Sequence, residues 1–81
     1  MNNKEIFDRI QDIFRSVFDD QSLEIKRSTT SSDIEDWDSL NHINLVVAIE
    51  KEFNTKFSLE DIQALEDVGA MADVVEKRIN S

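Results

Sequence analysis

Apolar residues in this chain return at intervals of three and four and never alternate with polar ones over the length of a strand, and this constrains the fold more than any other feature. Spacing of that kind places side chains on one face of a helix, whereas a half-buried strand needs a period of two. The absence of proline and the single glycine, Gly69, remove the usual interruptions. An all-α fold is expected. With 81 residues the chain suits one compact domain, residues 1–81, with a modest core, because a chain this short buries only about 60% of its unfolded surface.

The first helical run holds Ile6, Phe7, Ile10, Ile13, Phe14, Val17 and Phe18 on one continuous arc, which makes it a core-facing helix. Asn3 is the expected N-cap, with Glu5 in the first turn at the positive end of the dipole. Residues 19–38 then run polar and irregular. The run Ser28-Thr29-Thr30-Ser31-Ser32 competes for backbone hydrogen bonds, and only Leu23, Ile25, Ile34 and Trp37 anchor the stretch. A loop of about twenty residues is uncommon in a compact domain and is usually either functional or disordered; the apolar anchors argue for order.

A second helix is expected from the N-cap Asp38 to near Phe53, with Asn54 able to terminate it in a left-handed conformation. It is apolar on two separate arcs: Leu45, Val46, Ile49 and Phe53 form one, Leu40, Ile43 and Val47 the other. Two arcs fit either a central helix buried on both sides or a helix with one face turned to a partner. Ser58-Leu59-Glu60-Asp61-Ile62 forms a short third helix in which Ser58 caps the amide of Asp61. Asp67 caps a last helix carrying Val68, Met71, Ala72, Val75 and Ile79, with Lys77 and Arg78 near its negative end. The expected architecture is a four-helix bundle of three longer helices and one short, with a long loop between helices 1 and 2.

Charge narrows the function. Eighteen acidic against nine basic residues give a net charge of -9, which disfavours nucleic acid and anionic membrane surfaces and favours basic protein surfaces. With no cysteine the fold holds by packing alone, as suits a reducing cytoplasm. No stretch approaches the roughly 20 apolar residues that span a bilayer, and the N-terminus lacks the pattern of a signal peptide. A soluble, cytoplasmic monomer is expected.

Three constellations could carry chemistry. Ser39 and His42, three apart, could meet on adjacent turns. A hydrolase also needs an oriented base and an oxyanion hole, and the glycines of a nucleophile elbow are missing. Asp33, Glu35, Asp36 and Asp38 crowd into six residues. An EF-hand register would nevertheless put Trp37 and Asn44 at ligand positions and lacks the turn glycine, so no metal site is expected. Third, Ser39 sits in a first helical turn, where free amides and the dipole favour an attached phosphodiester. Leu40, Ile43 and Val47 would then give an incoming enzyme a hydrophobic strip beside the hydroxyl.

The ordered set Asp38-Ser39-Leu40, the helix Leu45-Val46-Val47-Ala48-Ile49-Glu50-Lys51-Glu52-Phe53, Phe57, the acidic Glu60-Asp61-Ile62 and Val68 resembles the acyl carrier protein family over nearly the whole chain. The resemblance implies a carrier rather than an enzyme. Ser39 would bear covalent 4′-phosphopantetheine, and Asp38 would help a phosphopantetheinyl transferase position its magnesium ion. Leu40, Ile43 and Val47 would meet partners: that transferase, an acyl- or aminoacyl-loading ligase, and downstream transferases with basic surfaces. Ile49, Phe57, Ile62, Leu65 and Val68 match positions that would line a pocket for an acyl chain, although all five also suit an ordinary core. Asn41 and Asn44 stand where the fatty-acid type shows acids, and Trp37 replaces a small aliphatic residue. The string Trp-Asp-Ser-Leu-Asn-His looks more like standalone carriers of polysaccharide, lipid or secondary-metabolite pathways. The rival reading is an unmodified acidic adaptor that binds a basic partner through the same face.

Overall fold

The computed structural model describes residues 2–80 and contains four helices in the order α1 (Asn3–Val17), α2 (Ser39–Phe53), α3 (Leu59–Gln63) and α4 (Val68–Ile79). No strand occurs among the described residues.

Local side-chain chemistry sets each helix start. Asp38 accepts from the Asn41 amide at 2.8 Å, and Asp67 from the Ala70 amide at 2.7 Å. Ser58 caps the Asp61 amide while the Asp61 carboxylate returns the bond to the Ser58 amide, a reciprocal capping box. The first cap differs from expectation by one residue. Asn2, not Asn3, is the N-cap of α1, and its side chain accepts from the Glu5 amide at 2.9 Å. Two successive asparagines offer the same oxygen, and the one left free of tertiary partners among the described residues, Asn2, does the capping. Asn3 instead takes part in a side-chain network with Asp73 and Arg27.

Two helices end through a left-handed residue. Asn54 (φ 50°, ψ 51°) closes α2, with the Thr55 amide bonded back to the Glu50 carbonyl. Asp19 (φ 51°) follows α1 in the same way, with the Asp20 amide bonded to the Arg15 carbonyl. Asparagine and aspartate tolerate this conformation better than other residues with a Cβ.

α1 packs against both α2 and α4. Ile6, Ile10, Ile13 and Phe14 from α1 meet Leu45, Val46, Ile49 and Phe53 from α2 and Val68, Met71, Ala72 and Val75 from α4. Fully burying one such side chain stabilises the fold by about 1.5–3 kcal/mol relative to leaving it exposed.

The 19–38 segment is ordered as a succession of tight turns closed by backbone bonds, among them Thr29 to Lys26, Asp33 to Thr30 and Trp37 to Ile34. Its serines and threonines bond to the local backbone: Thr29 Oγ1 accepts from the Lys26 amide and Thr30 Oγ1 from the Ser32 amide. Ile25 and Trp37 are buried in the core, and Leu23 and Ile34 pack partly against it. The segment also reaches α4, where the Val68 and Gly69 amides donate to the Thr29 and Arg27 carbonyls at 3.0 and 2.8 Å. Loop carbonyls thus satisfy two of the amides that every helix start leaves without a partner.

Candidate functional site

The two arcs of α2 separate inside from outside. Leu45 and Ile49 are fully buried, whereas Leu40, Ile43 and Val47 are 68%, 59% and 43% exposed. The second arc therefore faces solvent, and the reading of a helix buried on both sides does not hold. Leu59, at the start of α3, is also exposed and was not legible as such from its spacing.

Ser39 is the first residue of α2 and is exposed. Its hydroxyl makes no hydrogen bond among the described residues, and the Ser39 and Leu40 amides find no acceptor there. Asp38 spends one carboxylate oxygen on the Asn41 amide. Its other oxygen is unbonded among the described residues. Asn41 Nδ2 donates to the Asp36 carbonyl at 2.6 Å and Asn41 Oδ1 accepts from Asn44 at 3.2 Å. These amides hold the chain just ahead of Ser39, work that an acid at position 41 could not do, since a carboxylate only accepts.

Trp37 is the buried anchor next to the site. Its ring meets Phe14 edge-on at 5.2 Å, and its Nε1 donates to His42 Nδ1 at 3.1 Å. The two rings lie nearly parallel, 13° apart with centroids at 6.0 Å. Ser39 and His42 are not hydrogen-bonded to each other among the described residues; His42 Nδ1 is taken by the indole of Trp37. Sequence spacing missed the Trp37–His42 bond, because a helix start intervenes and helical periodicity does not extend across it.

Ser31, Trp37, Asp38, Ser39, His42 and Ile43 line a shallow, open cleft of about 500 Å3. An exposed hydroxyl, two free amides at the positive end of a helix and an adjoining cleft suit a covalently attached phosphodiester. Asp33, Glu35 and Asp36, in the segment that leads into Ser39, are exposed. No group of three or more metal-ligating side chains converges among the described residues.

Ile49, Leu65 and Val68 are buried, and Phe57 and Ile62 pack partly buried against the same cluster. Beside them Asp61 is buried and bonded to the Ser58 amide at 3.1 Å and to Arg78 Nε at 2.6 Å. The Ser58 amide, and after it Arg78, hold the Asp61 carboxyl below its ordinary value of 3.8, against the opposing effect of burial.

A family model described as the phosphopantetheine attachment site matches residues 8–75. The chain belongs to this family, that of the acyl carrier proteins. A solution NMR structure of the holo acyl carrier protein from Geobacter metallireducens is 44% identical, with a TM-score of 0.87 over 93% of this chain and 86% of that one. As a member of the acyl carrier family, the protein is a carrier and not an enzyme. It bears phosphopantetheine covalently, receives it from a phosphopantetheinyl transferase and works with other enzymes. The all-helical fold is the acyl carrier fold, and among the described residues no helix is long and apolar enough to cross a membrane.

Proposed function

We propose that Ser39 is the attachment point of 4′-phosphopantetheine, and that this protein carries acyl or aminoacyl groups as thioesters on that arm to enzymes of a fatty-acid, lipid, polysaccharide or secondary-metabolite pathway. The observation that carries this reading is the exposed Ser39 hydroxyl at the head of α2, flanked by two free amides and opening onto a cleft. In the transferase's site Ser39 Oγ attacks the pantetheine-side phosphorus of coenzyme A and gives up its proton, the phosphoanhydride bond breaks and adenosine 3′,5′-bisphosphate leaves; the transferred arm supplies the thiol that holds cargo. The unbonded Asp38 oxygen suits the transferase's magnesium ion.

The exposed arc of Leu40, Ile43 and Val47 is the docking strip in this reading, and the acids around it favour basic partner surfaces such as those of a loading ligase and downstream transferases. Ile49, Phe57, Ile62, Leu65 and Val68 would line the acyl pocket once α3 shifts. A helix of one and a half turns has few backbone bonds of its own to resist that shift. The chain acts as a single cytoplasmic domain and a monomer.

Intact mass after incubation with a broad-specificity phosphopantetheinyl transferase and coenzyme A tests this assignment. The wild type gains one phosphopantetheine and Ser39→Ala gains none; a Ser39→Ala protein that still gains the mass refutes Ser39 as the attachment point.

A further inference from the structure

We propose that His42 is a positioning residue for the arm, donating from Nε2 to the phosphodiester on Ser39 while Trp37 fixes its tautomer and ring plane; this rests on the attachment proposed above. The indole N–H can only donate. The ring nitrogen that faces it at 3.1 Å is therefore the unprotonated one, and the neutral imidazole carries its proton on Nε2. That nitrogen has no partner among the described residues.

Position supports the assignment. Residues three apart on a helix have Cβ atoms about 5–6 Å apart, and Ser39 and His42 line the same cleft. Charge supports it further. Between Arg27 and Lys51 the chain has no lysine or arginine, while Asp33, Glu35, Asp36 and Asp38 fall in that interval. A phosphodiester on Ser39 adds an anion to an acidic neighbourhood, and the donors this segment offers at the cleft are the two free α2 amides, the Ser31 hydroxyl and His42. Packing gives the donor a fixed direction. Trp37 is 5% exposed and meets Phe14 edge-on, so the imidazole is tied edge to edge, and nearly coplanar, to a buried indole. Without that bond a partly exposed histidine would sample several rotamers, and each hydrogen bond it made would cost more ordering entropy.

The competing explanation is that the Trp37–His42 bond only fastens the loop to α2. NMR of the histidine ring nitrogens and of phosphorus, in apo protein and in protein loaded by the transferase and checked by intact mass, separates the two. At mildly alkaline pH the apo ring is expected in the Nε2–H form. Loading should shift the Nε2 resonance while the Trp37 indole proton keeps its place. His42→Leu should move the phosphorus resonance and increase the arm's mobility. His42→Gln, whose amide can accept from the indole and donate to the phosphate, should restore the resonance most of the way. Trp37→Phe should give mixed tautomers and a phosphorus shift between those of wild type and His42→Leu. A fastener alone predicts a lower melting temperature in His42→Leu with ring and phosphorus signals indifferent to loading. Mass gain with an unmoved ring, or a phosphorus resonance identical in wild type and His42→Leu, overturns this assignment and leaves the attachment standing. No mass gain at all overturns both.

Discussion

Replacing Gly69 by alanine sets two effects of known size against each other. Gly69 is the second residue of α4, and its φ is not in the left-handed region, so its role is close approach. A Cβ there would lie 3.0 Å from the Arg27 carbonyl oxygen, 3.2 Å from Arg27 Cβ and 3.3 Å from Arg27 Nε. Alanine favours a helix interior over glycine by up to about 1 kcal/mol, with less of that gain in a first turn. Against it stands the overpacking cost of about 1–3 kcal/mol, which a neighbour can reduce by moving away. Arg27 is poorly placed to move. Its carbonyl accepts from the Gly69 amide itself at 2.8 Å, and its guanidinium is held by Asp73 at 3.0 and 3.1 Å and by Asn3 at 2.7 Å. Retreat lengthens a hydrogen bond worth about 0.5–1.5 kcal/mol. The net expectation for Gly69→Ala is a loss of about 1–2 kcal/mol, and at about 4–8 °C per kcal/mol for a domain of this size that lowers Tm by about 5–15 °C. Thermal and urea unfolding measure it, and amide exchange should quicken first at residues 27–30 and 68–69. An alanine variant as stable as wild type, or more so, would show that helix propensity wins and that the loop gives way freely.

The two faces of α2 predict opposite responses. Leu45→Ala should cost about 2–5 kcal/mol, whereas Leu40→Ala should stay within about 0.5 kcal/mol; equal losses in urea melts would mean the exposed arc is core. Val47→Glu should leave helicity and melting nearly unchanged yet weaken loading or partner turnover by more than about fivefold, the effect of losing about 1 kcal/mol at an interface. Unimpaired kinetics would move the docking strip elsewhere. Asp61, held below its ordinary 3.8 in the fold, contributes stability that is fully present above that value and is lost as pH falls through the lower folded value. Melting of Asp61→Asn and wild type should therefore converge below pH 3.8; a gap that stays constant there would show the carboxylate's charge is not what matters.

Much of this fold was readable from spacing because its determinants are local. The caps at Asp38, Ser58 and Asp67 depend on an oxygen and an amide three residues apart, and the left-handed Asn54 on one residue's own preference. The Asn2 cap shows the limit of that logic: two adjacent asparagines are equivalent locally, and only Asn3 is engaged by the distant Asp73 and Arg27, leaving Asn2 to cap. The arcs of α2 were legible as arcs, but which one lies inside depends on where α1 and α4 pack. Least legible were the long-range contacts: Trp37 to His42 across a helix start, Asp61 to Arg78 across 17 residues, and Arg27 to Gly69. Ser39 stood out through its motif, while its cleft is made by the loop and by a tryptophan that read only as an anchor.

The position of Ser39 therefore depends on residues far from it. Ordering a loop of about twenty residues costs backbone entropy, and the contacts that offset it are the buried Ile25 and Trp37, the partly buried Leu23 and Ile34, the two backbone bonds to α4, and side-chain bonds to the helices from Arg15 to the Leu23 carbonyl, from the Ile25 amide to Gln11, and from Arg27 to Asn3 and Asp73. Releasing any of these loosens the segment that delivers Trp37 to Phe14 and, through Trp37, fixes His42 beside the serine. A change at Gly69 would then slow loading at Ser39 even where α2 stays folded. The exposed arc is insulated from such damage, because Leu40, Ile43 and Val47 owe their geometry to α2 alone. Loading and docking should consequently respond to different substitutions: loop anchors govern how the serine is presented, and the outer arc governs which enzyme reaches it.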